Sequence, residues 1–218
     1  MTLYNDRAAA YITELFAPED EALHRILATA SERGLPDIGI QPEEGRFLQF
    51  LVRACGAAKA LEFGTLGGYS GTWIARGLPP GGRLITVEKE PKHAEVAREN
   101  FATTGVAERV EVRVGDAQHM LPALEADAPF DFVFIDAEKE GYGRYYEWAV
   151  NHVRLNGIIA AHNAFSGGAT FDPANESYGR SGASAIRDLA RRMAEDERVL
   201  ATIYPAGDGT LVAVRVKM

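Results

Sequence analysis

Apolar and polar positions follow two rhythms along this chain. Residues 6–16 and 19–33 carry apolar side chains at helical spacing. The second stretch opens with Glu19, Asp20 and Glu21, whose charges suit the positive end of a helix dipole. A third helix is expected over 42–56, with Pro42 in its first turn. The pattern then changes. Short apolar runs over 59–63, 83–88, 110–114, 130–136, 158–161, 199–204 and 211–216 read as strands. The stretches 70–77, 91–103, 117–126, 142–152 and 180–195 read as helices. Turn residues punctuate the series at Gly77 with Pro79-Pro80-Gly81-Gly82, at Gly105, and at Gly207-Asp208-Gly209.

Strands that alternate with helices predict an α/β fold, a parallel sheet with helices on both faces. The link between the last two strands is too short for a parallel crossover but suits a hairpin. The expected architecture is a mostly parallel seven-stranded sheet with one antiparallel strand near its edge. One domain spans 1–218, with N-terminal helices over 1–56 and the α/β core over 57–218. No internal repeat or low-complexity linker interrupts it. The longest irregular piece, 163–179, follows the fifth strand and is expected to overhang the ligand edge.

Composition narrows the function classes. The 218 residues are 46% hydrophobic, enough for one full core. A net charge of −8 argues against a general nucleic-acid surface. Cys55 is the single cysteine, which excludes an intrachain disulfide and a cysteine-rich zinc site; it reads as a small core residue. Met1 to Arg7 has no apolar secretory core and no stretch reaches transmembrane length, so a cytoplasmic protein without a membrane partner is expected.

Two stretches carry the chemistry. Leu61 to Ser70 is an apolar strand that breaks into Gly64-Thr65-Leu66-Gly67-Gly68 and starts a helix. Phe134-Ile135-Asp136 is an apolar strand that ends in a carboxylate. In an open parallel sheet both strand ends face the same edge, where ligands bind. That geometry suits a nucleotide-like cofactor with a cationic group. Glu88 ends the second strand, where a carboxylate can accept hydrogen bonds from ribose hydroxyls. A dinucleotide oxidoreductase would use the same pair, although this glycine turn lacks the Gly-x-Gly-x-x-Gly spacing and no second nucleotide lobe is evident. A plain turn beside a solvated glutamate also accounts for it. Gly115-Asp116-Ala117, after the third strand, is a turn whose Asp116 could bond an adenine amino group.

Together these segments resemble the class I S-adenosylmethionine (SAM)-dependent O-methyltransferases, specifically the caffeoyl-CoA and catechol O-methyltransferase group. The likeness extends from Ile40-Gln41-Pro42-Glu43-Glu44-Gly45-Arg46-Phe47-Leu48, through Glu62 to Ser70, Gly115-Asp116-Ala117 and Asp136-Ala137-Glu138-Lys139, to Tyr204-Pro205-Ala206-Gly207-Asp208-Gly209. It implies a Rossmann-like fold and methyl transfer to a hydroxyl of a small aromatic acceptor, catechol-like or phenylpropanoid-like. It places Ile40 in the segment that covers the cofactor. Glu62, Gly64 and Ser70 would hold the cofactor's amino-acid end and Glu88 its ribose; Asp116, Ala117 and Gln118 would frame its adenine. Asp136 would lie between the methionyl end and a divalent metal, and Lys139 would be the general base. From its charge run Glu138-Lys139-Glu140 alone, Lys139 reads equally as a solvated lysine.

The physical case for a metal is that a phenol, with a pKa near 10, is mostly protonated at neutral pH. A divalent cation on its oxygen lowers that pKa and fixes the nucleophile. The sequence departs from the family at this site. The usual Asp-Asn pair after the fifth strand is His162-Asn163 here. A metal held by Asp136, His162 and Asn163 would favour Mn, Co or Ni over Mg, since a nitrogen replaces an oxygen ligand. Alternatively His162 is itself the base, without a metal, or a hydrogen-bonded residue with no catalytic part. The acceptor could also be a tRNA base or a nitrogen or carbon nucleophile. His24, His93, His119 and His152 read as surface or capping residues. Tyr142, Tyr145, Tyr146 and Trp148 form a stripe that reads as core or as a contact in a homodimer, and Phe165 and Tyr178 are candidates to touch an aromatic substrate.

Overall fold

A computed structural model describes residues 4–172, 174–175 and 179–217. Tyr178 therefore lies outside the described residues. The N-terminal helices are α1 (Asp6–Phe16), α2 (Glu21–Glu32) and α3 (Pro42–Ala54). Asn5 and Asp20 cap the first two by accepting backbone N–H bonds. Pro42 opens α3, and the Gln41 N–H donates to the Glu44 carboxylate at 2.9 Å, which fixes that side chain at the helix start.

The core follows as β1 (Lys59–Phe63), α4 (Tyr69–Gly77), β2 (Arg83–Glu88), α5 (Pro91–Thr103), β3 (Val110–Val114), α6 (Ala117–Leu124), β4 (Phe130–Ile135), α7 (Tyr142–His152), β5 (Val153–His162), α8 (Gly179–Glu195), β6 (Val199–Tyr204) and β7 (Thr210–Arg215). The sheet order is β3-β2-β1-β4-β5-β7-β6. β7 runs antiparallel to both β5 and β6, and the other pairings are parallel. This is the expected Rossmann-like arrangement.

Helices cover both faces. On one, Leu121, Tyr145, Ile186 and Leu189 pack against Phe63, Val133 and Ile159. On the other, Leu23, Leu48 and Trp73 pack against Ala60, Leu84, Phe132 and Phe134. Each such fully buried large apolar side chain contributes about 1.5–3 kcal/mol of transfer free energy. The α7 aromatics belong to this core. Tyr142, Tyr145 and Tyr146 are fully buried, and the Tyr145 ring stacks on Phe63 with centroids 4.8 Å apart. The helix thus presents no aromatic face for a second subunit. β5 is longer than expected, because Val153 already pairs with Phe130 before a register shift, and Arg154 ties it to Asp131 at 2.6 Å. No helix among the described residues is long and apolar enough to cross a membrane.

Candidate active site

The strand order reverses between β1 and β4, and a cavity of about 740 Å³ opens at their carboxyl ends. Its floor is the glycine turn. The Asp136 N–H donates to the Phe63 carbonyl at 2.8 Å, which draws the end of β4 against the turn. Gly64 sits there with φ of 96°, and a Cβ on it would lie 2.1 Å from the Asp136 carbonyl oxygen. Leu66 holds a left-handed φ of 48° because its N–H is captured by Glu88 at 2.8 Å. The same Glu88 carboxylate accepts from Thr65 N–H at 3.2 Å and from Glu90 N–H at 2.9 Å. Glu88 is therefore no solvated surface charge. It fastens the cradle and still faces the cavity.

Glu62 lies beneath the cradle. Ser70 donates to one of its carboxylate oxygens at 2.6 Å and Thr86 to the other at 2.7 Å. Complete burial pushes its carboxyl up to about 7, against the pull of these bonds. It stands behind Ser70 and off the cavity wall. On the adenine side, Ala117 lines the cavity, while Asp116 caps α6 by accepting the Gln118 N–H at 3.0 Å. Gln118 reaches Glu138 at 2.9 Å. Neither Asp116 nor Gln118 lines the cavity.

Four charged side chains form a chain at the far end. Lys139 Nζ donates to Asp136 Oδ1 at 2.9 Å and to the Tyr142 hydroxyl at 2.7 Å. The other Asp136 oxygen is 3.3 Å from His162 Nδ1, an ion-pair contact that is off the line of a good hydrogen bond. The opposite ring nitrogen, Nε2, is 2.9 Å from Glu44 Oε1. Burial opposes charge on both His162 and Asp136. For His162 the two carboxylates outweigh it and push the imidazole up to about 10. For Asp136, Lys139 and His162 outweigh it and hold the carboxyl well below the usual carboxylate range. Asn163, next in the chain, has φ of 61° and donates to Asp208 at 2.9 Å.

The O-methyltransferase family model matches residues 13–216. The chain belongs to that family. It is 38% identical to the catechol O-methyltransferase of Mycobacterium tuberculosis over 206 residues, covering 94% of this chain and 93% of that one. It is 44% identical to the catechol O-methyltransferase of Niastella koreensis over 164 residues, 74% of each chain. Among solved structures, the O-methyltransferase from Bacillus cereus in complex with SAH superposes with a TM-score of 0.88 at 36% identity, covering 96% of this chain and 97% of that one.

The protein is thus a SAM-dependent O-methyltransferase, and its residues fit that cofactor. The glycine turn packs against the end of β4 too closely for a Cβ at Gly64, and Ile40, Gly64, Ser70, Glu88, Ala117, Asp136, Lys139 and Asn163 share one cavity. Residues that sequence reasoning missed complete the wall. Pro36 and Ile38 come from the link between α2 and α3, and His93 from α5, with Nδ1 3.5 Å from Glu88. His93 is half-buried at the cavity, in the first turn of α5, which Pro91 opens directly beyond β2. His24 and His119 are exposed as expected, and His152 bonds the Trp148 carbonyl at 2.7 Å.

The methyltransferase's donor set does not fit a divalent ion in the same way. A ligating imidazole must offer a bare nitrogen. Both nitrogens of His162 face carboxylates, and the ring is buried off the cavity wall. Among the described residues, no group of three His, Cys, Asp or Glu is arranged to hold a metal ion. The two flanking carboxylates push the imidazole up, which disfavours His162 as a general base.

Proposed function

We propose that this methyltransferase acts on a hydroxyl of a small aromatic acceptor, catechol-like or phenylpropanoid-like. The observation that carries this reading is one cavity that joins the glycine cradle to Lys139, with Ile38, Ile40 and Pro36 as an apolar wall beside it. Such a wall suits a flat apolar ring, and the polar end at Lys139 and Asp136 suits its hydroxyl. The family relationship supports the same acceptor class, since two relatives are named catechol O-methyltransferases.

SAM supplies an electrophilic methyl group when bound. The chain's own part is to orient and deprotonate. Asp136 and the Tyr142 hydroxyl pin the Lys139 amine next to the cavity. Lys139, ion-paired with Asp136 as the ammonium, first gives a proton to solvent as the acceptor binds, and the free amine then takes the hydroxyl proton as the oxygen attacks. The new O–C bond forms as the S–C bond breaks, SAH leaves, and the proton on Nζ passes to solvent. Holding donor and acceptor in line supplies much of the rate.

A methyl-transfer screen over catechols, flavonoids and RNA tests the acceptor class. Products on the aromatic hydroxyls support it; products on RNA alone would replace it. We further propose a two-fold dimer, the commonest homo-oligomer. Exposed apolar side chains on the N-terminal helices include Tyr11, Leu15 and Phe16 on α1 and Phe50 on α3. Light scattering that reports a monomer at micromolar concentration would refute the dimer.

A further inference from the structure

We infer that His93 is a cofactor-binding residue: it and the one open oxygen of Glu88 share the two ribose hydroxyls of SAM, one hydroxyl each. The inference concerns the cofactor alone and is independent of which acceptor is methylated.

A count of lone pairs limits what Glu88 can do. An ionised carboxylate offers about four acceptor sites, two on each oxygen. Glu88 Oε2 accepts the Thr65 and Leu66 N–H groups at 3.2 and 2.8 Å, which fills that oxygen. Oε1 accepts the Glu90 N–H at 2.9 Å and has one site left. These bonds hold the glycine turn and the link into α5, and giving one up would orphan a backbone N–H. Glu88 therefore takes one ribose hydroxyl. The second hydroxyl, on the adjacent carbon, needs another partner.

His93 is placed to be that partner. β2 ends at Glu88, the link Lys89-Glu90 follows, and Pro91 opens α5, so His93 lies in the first helical turn and lines the same cavity. Its Nδ1 is 3.5 Å from Glu88 Oε1, too far for a good hydrogen bond. Among the described residues the ring makes no other polar contact. Its side chain is 21% exposed, so little rotamer freedom is left to lose when a ligand binds. In its neutral form an imidazole has one N–H and one bare nitrogen, and a hydroxyl both donates and accepts, so either tautomer serves. The other polar side chains here compete poorly. Thr65 Oγ1 is tied to Thr86 at 2.6 Å. Lys89 is paired with Asp116 at 3.5 Å, and both Lys89 and Glu90 are exposed, so fixing either on a ligand costs more entropy.

The test measures binding rather than turnover. It uses the full chain, with SAH and its 2′-deoxy and 3′-deoxy analogues as probes, and His93→Phe, which keeps a ring but no polar atom. Thermal melting first establishes that the variant folds, and His93→Leu takes its place if it does not. Titration calorimetry on the wild type is expected to show each analogue bound about tenfold more weakly than SAH, the scale of one hydrogen bond. His93→Phe should bind SAH itself about tenfold more weakly. In that variant, removing one of the two hydroxyls should cost nothing further, while removing the other still costs its full tenfold. His93→Gln, which restores a donor and an acceptor, should recover most of the affinity. A ring that only packs would leave both hydroxyl losses in full. That result, or unchanged SAH affinity in His93→Phe, would overturn the inference. A wild type that binds no SAH would instead overturn the cofactor reading, and this inference with it.

Discussion

Glu88→Gln isolates the group that both fastens the cradle and faces the cofactor. The carboxylate accepts three backbone N–H bonds, from Thr65, Leu66 and Glu90. A glutamine keeps one accepting oxygen. If that oxygen stays on Thr65 and Leu66, the amide NH₂ confronts the Glu90 N–H and leaves it orphaned, which costs about 1–3 kcal/mol. The two retained bonds change from charge-assisted to neutral, a loss of roughly 1 kcal/mol each. The sum is about 3–5 kcal/mol. For a chain of this length that lowers the melting temperature by roughly 10 °C, since each kcal/mol moves it by about 2–4 °C. Cofactor binding should weaken separately, because an acceptor for a ribose hydroxyl is lost; one charge-assisted bond corresponds to about 10–100-fold in Kd. Scanning calorimetry of the free protein and titration calorimetry with SAH read the two effects. A melting temperature within a degree of wild type, together with unchanged SAH affinity, would refute the roles given to Glu88.

Other perturbations separate backbone, base and charge. Gly64→Ala combines a left-handed φ of 96° with a 2.1 Å clash, so urea denaturation should show a loss of about 2–5 kcal/mol. Gly81→Ala, at φ of 78° but with nothing within 4 Å, should lose only the strain, about 1–2 kcal/mol. Lys139→Met should lower turnover by about 10²–10⁴-fold while SAH still binds, if Lys139 is the base; unchanged turnover would dismiss it. The His162 imidazole is raised in the folded state, so the stability it contributes is fully present below about pH 6.5 and is lost as pH rises through about 10. The melting-temperature gap between wild type and His162→Gln should therefore be widest near neutral or slightly acid pH and close in alkali. A gap that widens with pH would reverse the sign of the argument.

Much of the frame was legible because it is local. Alternating apolar runs marked each strand of the sheet, and the glycine turn with Glu88 marked the cradle, since strand ends and tight turns leave their residues in a short stretch of sequence. What escaped was set by distance. Nothing near His162 announces Glu44, which reaches it from another helix. The pairing sets an expected metal ligand or base between two carboxylates. His93 carries no local signal either, because only the path of α5 beyond β2 brings it to the cavity. Glu62 and Asp116 fall in the right motifs, yet the one holds Ser70 from below and the other caps a helix. The sheet buries the α7 aromatics, while exposed apolar side chains remain on α1 and α3 and at Phe171 and Leu200.

The most direct measurement follows a ¹³C-labelled methyl group from SAM onto catechol by NMR, with the enzyme exhaustively treated with EDTA. The account predicts one new aryl methoxy signal for each SAH formed, at the same rate with and without chelator. No methoxy product under any metal condition would contradict the aromatic-hydroxyl reading. Product that vanishes with EDTA and returns with Mn²⁺ would contradict the reading of the His162 site as one that does not hold a divalent ion.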